Sequence, residues 1–405
     1  MAFNNVGAIL SFAIFFCIFS SILFFGIRYL QKKWITQVNW SERNAKLLKL
    51  ISWTMLGLLF ASFPIRLLPI SQTIAATVAW VSYSIMGFLA LLISLTAVIH
   101  LYQFLKEKYQ SNTQTKANKL SRKEFLKSSL AFPILGLTSS AKASGIFTAR
   151  KPEIIEQDIF LKRLPSEFDG YRIAQISDLH VGLTIRRDFV EEVVALTNEA
   201  EPDSITLTGD IMDGTVPLLA DDMEPIKQLK AKDNVYFITG NHEYYSGALP
   251  WVEYFANAGF ITLLNENHVI KRGDAQIAMC GINDRSAHRI IPDHQSDAFK
   301  ATENLPPGMC KVMLAHQPRS VYDVEKVDCD LMLSGHTHGG QFFPWSLLVY
   351  FAHPYVKGYY DHDGMKVYVN QGTGYWGPPL RLGTKSEITM ITLRKEVDSD
   401  AAVSP

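Results

Sequence analysis

Net charge is what this chain most plainly lacks. Across 405 residues, 39 basic side chains meet 39 acidic ones, which excludes a nucleic-acid binder working through bulk positive charge. Cysteine is scarce as well. Four residues cannot staple a disulfide scaffold; Cys17 lies in an apolar run, and Cys280, Cys310 and Cys329 have no metal-site spacing. Internal repeats and long low-complexity segments are absent, and a content of 48% hydrophobic and 12% aromatic residues excludes a disordered chain. The most telling absence is local. Residues 1–105 contain a single acid, Glu42, beside seven basic residues, whereas residues 151–405 carry most of the acids and read as an ordinary soluble globule.

The acid-poor part is built from long apolar runs. Residues 6–27 are 22 in a row without a charge, enough to cross a hydrocarbon core at about 1.5 Å per residue. A second run, residues 47–70, is broken by Pro64 and Arg66 and has Lys49 near its start. A third, residues 73–105, is uncharged apart from the titratable His100. Runs this long are expected to be about three transmembrane helices rather than buried core helices. Arg28, Lys32, Lys33, Arg43, Lys46 and Lys49 crowd the first loop, and Lys106, Lys108, Lys116, Lys119, Arg122, Lys123 and Lys127 follow the third run. Ser71 and Gln72, between the second and third, are neutral. By the positive-inside rule the two basic loops face the cytoplasm and the N-terminus lies outside.

Residues 106–150 read as a basic linker. Within it, Ser121-Arg122-Lys123-Glu124-Phe125-Leu126-Lys127 resembles the twin-arginine export motif, with Lys123 in place of the second arginine. A modest apolar stretch, residues 128–141, follows, interrupted by Pro133. Ala141-Lys142-Ala143 then has the small-x-small form of a cleavage site. Export through this segment would place the following domain on the outer face of a bacterial cytoplasmic membrane. If the stretch does not cross, the domain stays in the cytoplasm.

From about Pro152 the pattern becomes short β-rich runs ending in polar clusters. Five endings share one property: Asp178 with His180, Asp210, Asn241 with His242, His316, and His336 with His338 each lie just past an apolar run. Helical stretches are expected at about residues 187–200 and 218–230. This alternation predicts an α/β sheet over residues 151–395, with 396–405 as a tail. Sites in such sheets form outside the carboxyl ends of the strands. Three Asp or Asn oxygen donors and four histidines, with His242 left over, exceed the four ligands of one tetrahedral ion. They fit two ions sharing a carboxylate, and imidazole with carboxylate suits Mn, Fe or Zn.

A single Asp-x-His or Gly-Asp is usually a turn or a cap. The ordered set Asp178-Leu179-His180, Gly209-Asp210, Gly240-Asn241-His242-Glu243, His316 and Gly335-His336-Thr337-His338-Gly339-Gly340-Gln341 is far more specific. Over roughly residues 175–391 the chain resembles the calcineurin-like metallophosphoesterases, in their membrane-associated branch. The resemblance implies a four-layer α/β/β/α sandwich. It implies Asp178, His180 and His338 as ligands of a first metal, Asp210 as a bridging carboxylate, Asn241, His316 and His336 as ligands of a second, and His242 as the non-ligand histidine facing the scissile phosphate. Gly339 and Gly340 are expected to let the backbone approach the site. Asp284, Asn370 and Arg381 draw attention too. A late segment from Asn370 to Arg381 resembles one of this branch, and Arg381 either clamps a phosphate oxygen or is a solvated residue of a turn.

The chemistry expected of such a set is hydrolysis of a phosphoric ester. Two cations about 3.5–4 Å apart neutralise the phosphate oxygens and hold an activated water, while His242 stabilises the transition state or protonates the leaving group. The leading expectation is a membrane-anchored phosphodiesterase with membrane lipids as neighbours and no nucleic-acid partner. Two alternatives stand beside it: a hydrolase of lipid-linked pyrophosphates of the UDP-2,3-diacylglucosamine type, and a non-catalytic binding module on the same fold. The remaining histidines, His268, His288, His294, His353 and His362, are expected on surfaces or loops.

Overall fold

The computed structural model describes residues 6–36, 40–65, 70–110 and 131–396. The twin-arginine-like segment with Arg122 and Lys123, the basic residues Lys116, Lys119 and Lys127, and residues 397–405 of the tail lie outside the described residues. Two compact units emerge, one of Met1–Ile146 with Gly377–Leu380, the other of Phe147–Trp376 with Arg381–Pro405.

The first unit is helical. Helices α1 (Val6–Leu30), α2 (Glu42–Ile65) and α3 (Gln72–Gln110) fall on the three apolar runs, and α4 (Ala131–Ala149) follows. Among the described residues one stretch, Gln72–Lys106, is long and apolar enough to cross a membrane. Leu23, Ile27, Leu59, Leu89, Leu92 and Ile134 pack together at the centre of the unit. Polar side chains bond across helices inside it: Ser82 Oγ donates to the Leu58 carbonyl at 2.7 Å, and Gln31 Nε2 to Ser52 Oγ at 2.7 Å. Pro133 does not interrupt its segment as expected. It sits in the first turn of α4, where a missing N–H has no helical partner to lose. Ala141 and Ala143 lie inside the same helix.

The second unit carries two six-stranded sheets. The first has the order β1 (Pro152–Leu161), β12 (Ser386–Lys395), β2 (Arg172–Ile176), β3 (Ser204–Thr208), β4 (Val235–Ile238) and β5 (Ile261–Thr262). Strands β2 to β5 pair in parallel, and β12 returns antiparallel to β2. The second sheet runs β10 (Gly358–His362), β11 (Met365–Val369), β9 (Leu331–Ser334), β8 (Cys310–Leu314), β7 (Ala275–Gly281) and β6 (Glu266–Arg272). It has a parallel centre and an antiparallel hairpin at each edge.

Alternation along each strand separates the layers. Ile173, Tyr236, Ile238, Ile277, Met279, Val312 and Leu314 meet between the sheets. Their neighbours Ala174, Val235 and Phe237 turn outward onto helices α5 (Arg187–Glu199), α6 (Val216–Met223) and the helix Ala248–Asn257. On the far side Ala278, Cys280 and Met313 pack on Ala298, Val321 and Val324 of two short helices. The layers are therefore helix, sheet, sheet, helix, in the expected α/β/β/α order. With apolar residues on both faces, a central strand such as β4 reads as a continuous apolar run, whereas the edge strands β1, β6 and β10 carry charged residues. Cys280, Cys310 and Cys329 are buried and free in this core, and burial pushes all three thiols up.

Candidate metal centre

The strands that bear candidate ligands end on one side. β2, β3 and β4 of one sheet and β8 and β9 of the other deliver their carboxyl ends to a common crevice, tied together from below. Gln175 Nε2 donates to Thr208 Oγ1 at 3.0 Å and to the Ser334 carbonyl at 2.9 Å, joining the two sheets. The backbone N–H of Asp178 donates to Gly209 O at 3.0 Å, and that of His180 to Asp210 O at 3.1 Å.

Past each strand end the chain turns sharply. Asp178, His180, Asp210, His336 and His338 all take positive φ, between 51° and 70°. Each such residue without glycine's freedom costs of order 1 kcal/mol or more, strain that persists where surrounding bonds enforce it. Two glycines make the close approach possible. A Cβ on Gly240 would strike the Asp210 side chain and backbone, and one on Gly335 would strike Ser177 and Asp178.

The turns gather donors into three groups spaced to hold a metal ion: Asp178, His180 and His338; Asp210, His316 and His336; and His180, Asp213 and His242. In the first, His180 Nε2 and His338 Nε2 face each other at 3.0 Å, with Asp178 Oδ1 3.5 Å from His338 Nε2. In the second, His316 Nε2 is 3.0 Å from Asp210 Oδ2 and 3.2 Å from His336 Nδ1. Asp210 Oδ2 also lies 4.0 Å from His180 Nε2, so its carboxylate stands between the groups. The buried Asn241 Oδ1 has no hydrogen-bond partner, an arrangement that normally costs 1–3 kcal/mol.

The electrostatics match this donor set. Burial holds the His336 and His338 rings well below their ordinary basicity, so both keep a lone pair to give. Burial would raise Asp210, but His316 and His242 overcome it and hold the carboxyl well below its usual range. Asp178 goes the other way, raised by burial. The Thr208 carbonyl accepts from His316 Nδ1 at 2.8 Å, which turns Nε2 toward the crevice. Burial would lower His316, but Asp210 outweighs it and raises the ring well above its ordinary value, so a proton sits beside this carboxylate where a cation would otherwise offset it. The residues therefore fit divalent metal ions.

His242 lies in the third group, which shares His180 with the first. Its ring meets Asp213 Oδ1 through Nδ1 at 2.6 Å, and His180 Nδ1 reaches the same oxygen at 3.1 Å. Burial alone would lower the His242 pKa, but Asp213 and Asp210 raise it to about 9. Asp213 is in turn held far below the carboxylate range, burial being outweighed by the His242 and His180 rings. Tyr245 and Trp376 flank His242 edge-on, with ring centroids 5.3 and 5.9 Å away. Glu243 braces the floor: its carboxylate accepts the N–H groups of Asp210 at 2.9 Å, Ile211 at 2.8 Å and Gly240 at 2.5 Å.

All seven expected ligands and His242 thus lie in or around one crevice, and other expectations shift. Arg381 is fully buried, which overturns the solvated alternative, and its donors turn to backbone carbonyls. Its guanidinium donates to the carbonyls of Gly372 at 2.8 Å, Gly374 at 2.5 Å and His338 at 3.2 Å, so the turn bearing His338 hangs on it. Asn370 and Asp284 are also buried braces, bonded to Thr389 and Gly372 and to Ser286 and Gln317 respectively. Gly339 and Gly340 face Thr384 and Ser346 rather than the ligands. His353, expected on a surface, is half-buried with its ring centroid 5.2 Å from that of His336. Asp213 was missed by sequence reasoning. Its signal is a second carboxylate three residues after Asp210, in the same turn.

Residues 171–340 match the family model described as calcineurin-like phosphoesterase. The chain is 34% identical over 255 residues to "Transmembrane protein with metallophosphoesterase domain" of Danio rerio, an alignment covering 61% of this chain and 58% of the relative. It is 36% identical over 273 residues to an "Uncharacterized metallophosphoesterase" of Helicobacter pylori, covering 67% of this chain and 71% of the relative. A similar protein of Bacillus subtilis is 28% identical over 294 residues, 68% of this chain and 98% of its own. The chain therefore spans less than two thirds of the zebrafish relative's length.

Proposed function

The chain belongs to the calcineurin-like phosphoesterase family, and on that premise we propose that it is a membrane-anchored phosphodiesterase working with two divalent ions drawn from Mn, Fe or Zn. The observation that carries this reading is the adjacent pair of donor groups, Asp178-His180-His338 and Asp210-His316-His336, with Asp210 Oδ2 4.0 Å from His180 Nε2 and the unpartnered Asn241 Oδ1 beside them. Asp178, His180 and His338 would hold one ion, Asn241, His316 and His336 the other, and Asp210 both. When bound, the ions neutralise phosphate oxygens and bring a water's pKa toward about 7.

The chain's own residues supply the rest. Asp213 holds His242 by Nδ1 and keeps its ring protonated, which leaves the Nε2 proton for the oxygen of the departing alcohol. Glu243 fixes the Asp210 and Gly240 turns against one another. Trp376 and Tyr245 offer two aromatic faces beside His242 for the ester group. Arg381 adds no donor to the crevice, and a diester with one negative charge needs less positive charge than a monoester with two.

The test is elemental analysis of the purified full chain in detergent, with turnover of bis-p-nitrophenyl phosphate beside p-nitrophenyl phosphate. About two ions per chain and preference for the diester are expected. Zero or one ion after supplementation, or preference for the monoester, would refute the corresponding part.

For the helical unit we read several crossings of a bacterial membrane, on the apolar runs and their basic loops, with the catalytic domain on the outer face. Protease added to spheroplasts should digest residues 151–395 on this reading. Protection until lysis would place the domain inside.

A further inference from the structure

The catalytic unit contains one segment whose surface does not suit water. From Gly335 to Val356 there are 22 residues without Asp, Glu, Lys or Arg. Within it lies a helix, Trp345–Ala352, that follows directly on the turn holding His336 and His338. Phe342 and Val349 anchor it inward. Phe343, Trp345, Leu347, Leu348, Tyr350 and Phe351 all face outward, Phe351 at 89% exposure. Six exposed large apolar side chains in nine residues form the kind of patch that marks an interaction site.

Both ends of the helix are fastened to the metal-binding turns. Gly340 lets the helix pack close: a Cβ there would lie 2.8 Å from the Ser346 Cα. At the other end His353 sets its ring against His336. Whatever covers the helix therefore lies beside the crevice.

The geometry points to a bilayer interface as that cover, an inference that rests on the membrane-anchored reading above. Trp and Tyr beside Leu and Phe are the composition of interfacial segments, whose apolar side chains sink about 5–10 Å into the headgroup boundary. The chain also has in Gln72–Lys106 a helix long and apolar enough to cross that bilayer. A second copy of the chain is the weaker occupant. Eight residues make a helix about 12 Å long and about 10 Å across, a footprint on the order of 120 Å², far short of the roughly 800 Å² per partner of a stable interface. With the helix lodged in the headgroup layer, the crevice opens where phosphates of membrane amphiphiles lie, so its substrates belong to that class.

Depth-dependent quenching tests this on the full chain. In a Cys17→Ser background, which leaves only the buried Cys280, Cys310 and Cys329, the single exposed cysteines of Leu348→Cys, Val98→Cys and Asp274→Cys carry a bimane label in phosphatidylcholine vesicles with brominated acyl chains. Val98 is exposed on α3. Asp274 is exposed in the β6–β7 turn, at the opposite strand ends from the crevice. Bimane at 348 should be quenched several-fold more than at 274 and approach the value at 98. Quenching at 98 with 348 no different from 274 overturns the inference and leaves the anchor standing. No quenching at 98 overturns the anchored reading and the inference with it. A blue-shifted 348 label that bromine does not quench and dilution restores overturns it in favour of a second copy.

Discussion

The two units of this chain invert one another. In the helical unit Ile22 and Phe25 are among the most exposed side chains, while Gln31, Ser82 and Thr96 are buried. In the catalytic unit Ile173, Ile238, Ile277 and their neighbours are sealed between layers. A large share of its buried polar groups, among them Asp178, Asp210, Asn241, Glu243 and His316, gathers instead at one crevice. The same residue types serve both units, and on the membrane-anchored reading proposed above the difference lies in the solvent each was built for. Lipid leaves little for an outward-facing leucine to gain by turning inward, and interhelical contact there is set by packing and by hydrogen bonds such as Ser82 to Leu58. Water rewards burial of every strand face. The helix Trp345–Ala352 matters because it carries the helical unit's outward logic into the catalytic unit.

The comparison breaks most readily at the shared carboxylate. Asp210→Asn should lower kcat/KM by about 10³-fold or more, since several kcal/mol of charge stabilisation at both ions depend on it. His180→Ala and Asn241→Ala, each confined to one ion, should cost less. Steady-state kinetics with metal analysis of all three variants checks the ranking, and equal losses would deny Asp210 its place between the groups.

A smaller effect separates ligand from proton donor. His242→Ala should cut kcat by about 10²–10⁴-fold and leave metal content intact, because its Nδ1 is committed to Asp213. Loss of metal in this variant would make His242 a ligand and Asp213 part of a metal group with His180. Smaller again is Arg381→Lys. A lysine keeps the charge but not the fork that spans three carbonyls. Stability should fall by roughly 3 kcal/mol, read as a lower midpoint of thermal unfolding, with KM for a small diester unchanged. A raised KM at unchanged stability would restore the phosphate clamp.

These variants also show where sequence reading reached and where it stopped. The ligands were legible because each is a polar residue directly after an apolar run, a position that strand geometry alone delivers to a crevice. The layers were legible for the same reason, since β4 is apolar at every position and β8 at all but Lys311. Arg381 was not legible. A guanidinium in a Gly-rich turn can face a phosphate or three carbonyls, and only burial decides between them. Asp213 escaped notice, and Glu243, named within its motif, was given no role, because both act through bonds to other residues' rings and backbone, which no spacing rule records. Pro133 was misread because its effect depends on which turn of a helix it occupies. The pairing of β1 with β12 joins segments more than 200 residues apart and left no local mark.

The smallest expected effect probes the inversion itself, one methyl group at a time. Ile277→Val removes a methyl from the inter-sheet core, where Ile277 is 0% exposed. Neighbouring side chains cannot close fully over the space, so the cost should be about 0.5–1.5 kcal/mol. In a unit of this size that is a drop of about 2–4 °C per kcal/mol in the midpoint. Ile22→Val makes the same chemical change on α1, at 64% exposure. There the lost methyl leaves no cavity and its surroundings are apolar before and after. The midpoint of the full chain in detergent should stay within a fraction of a degree. Differential scanning fluorimetry on the two variants reads the contrast directly. A cost at position 22 equal to that at 277 would mean that α1 buries its outward face against protein rather than lipid.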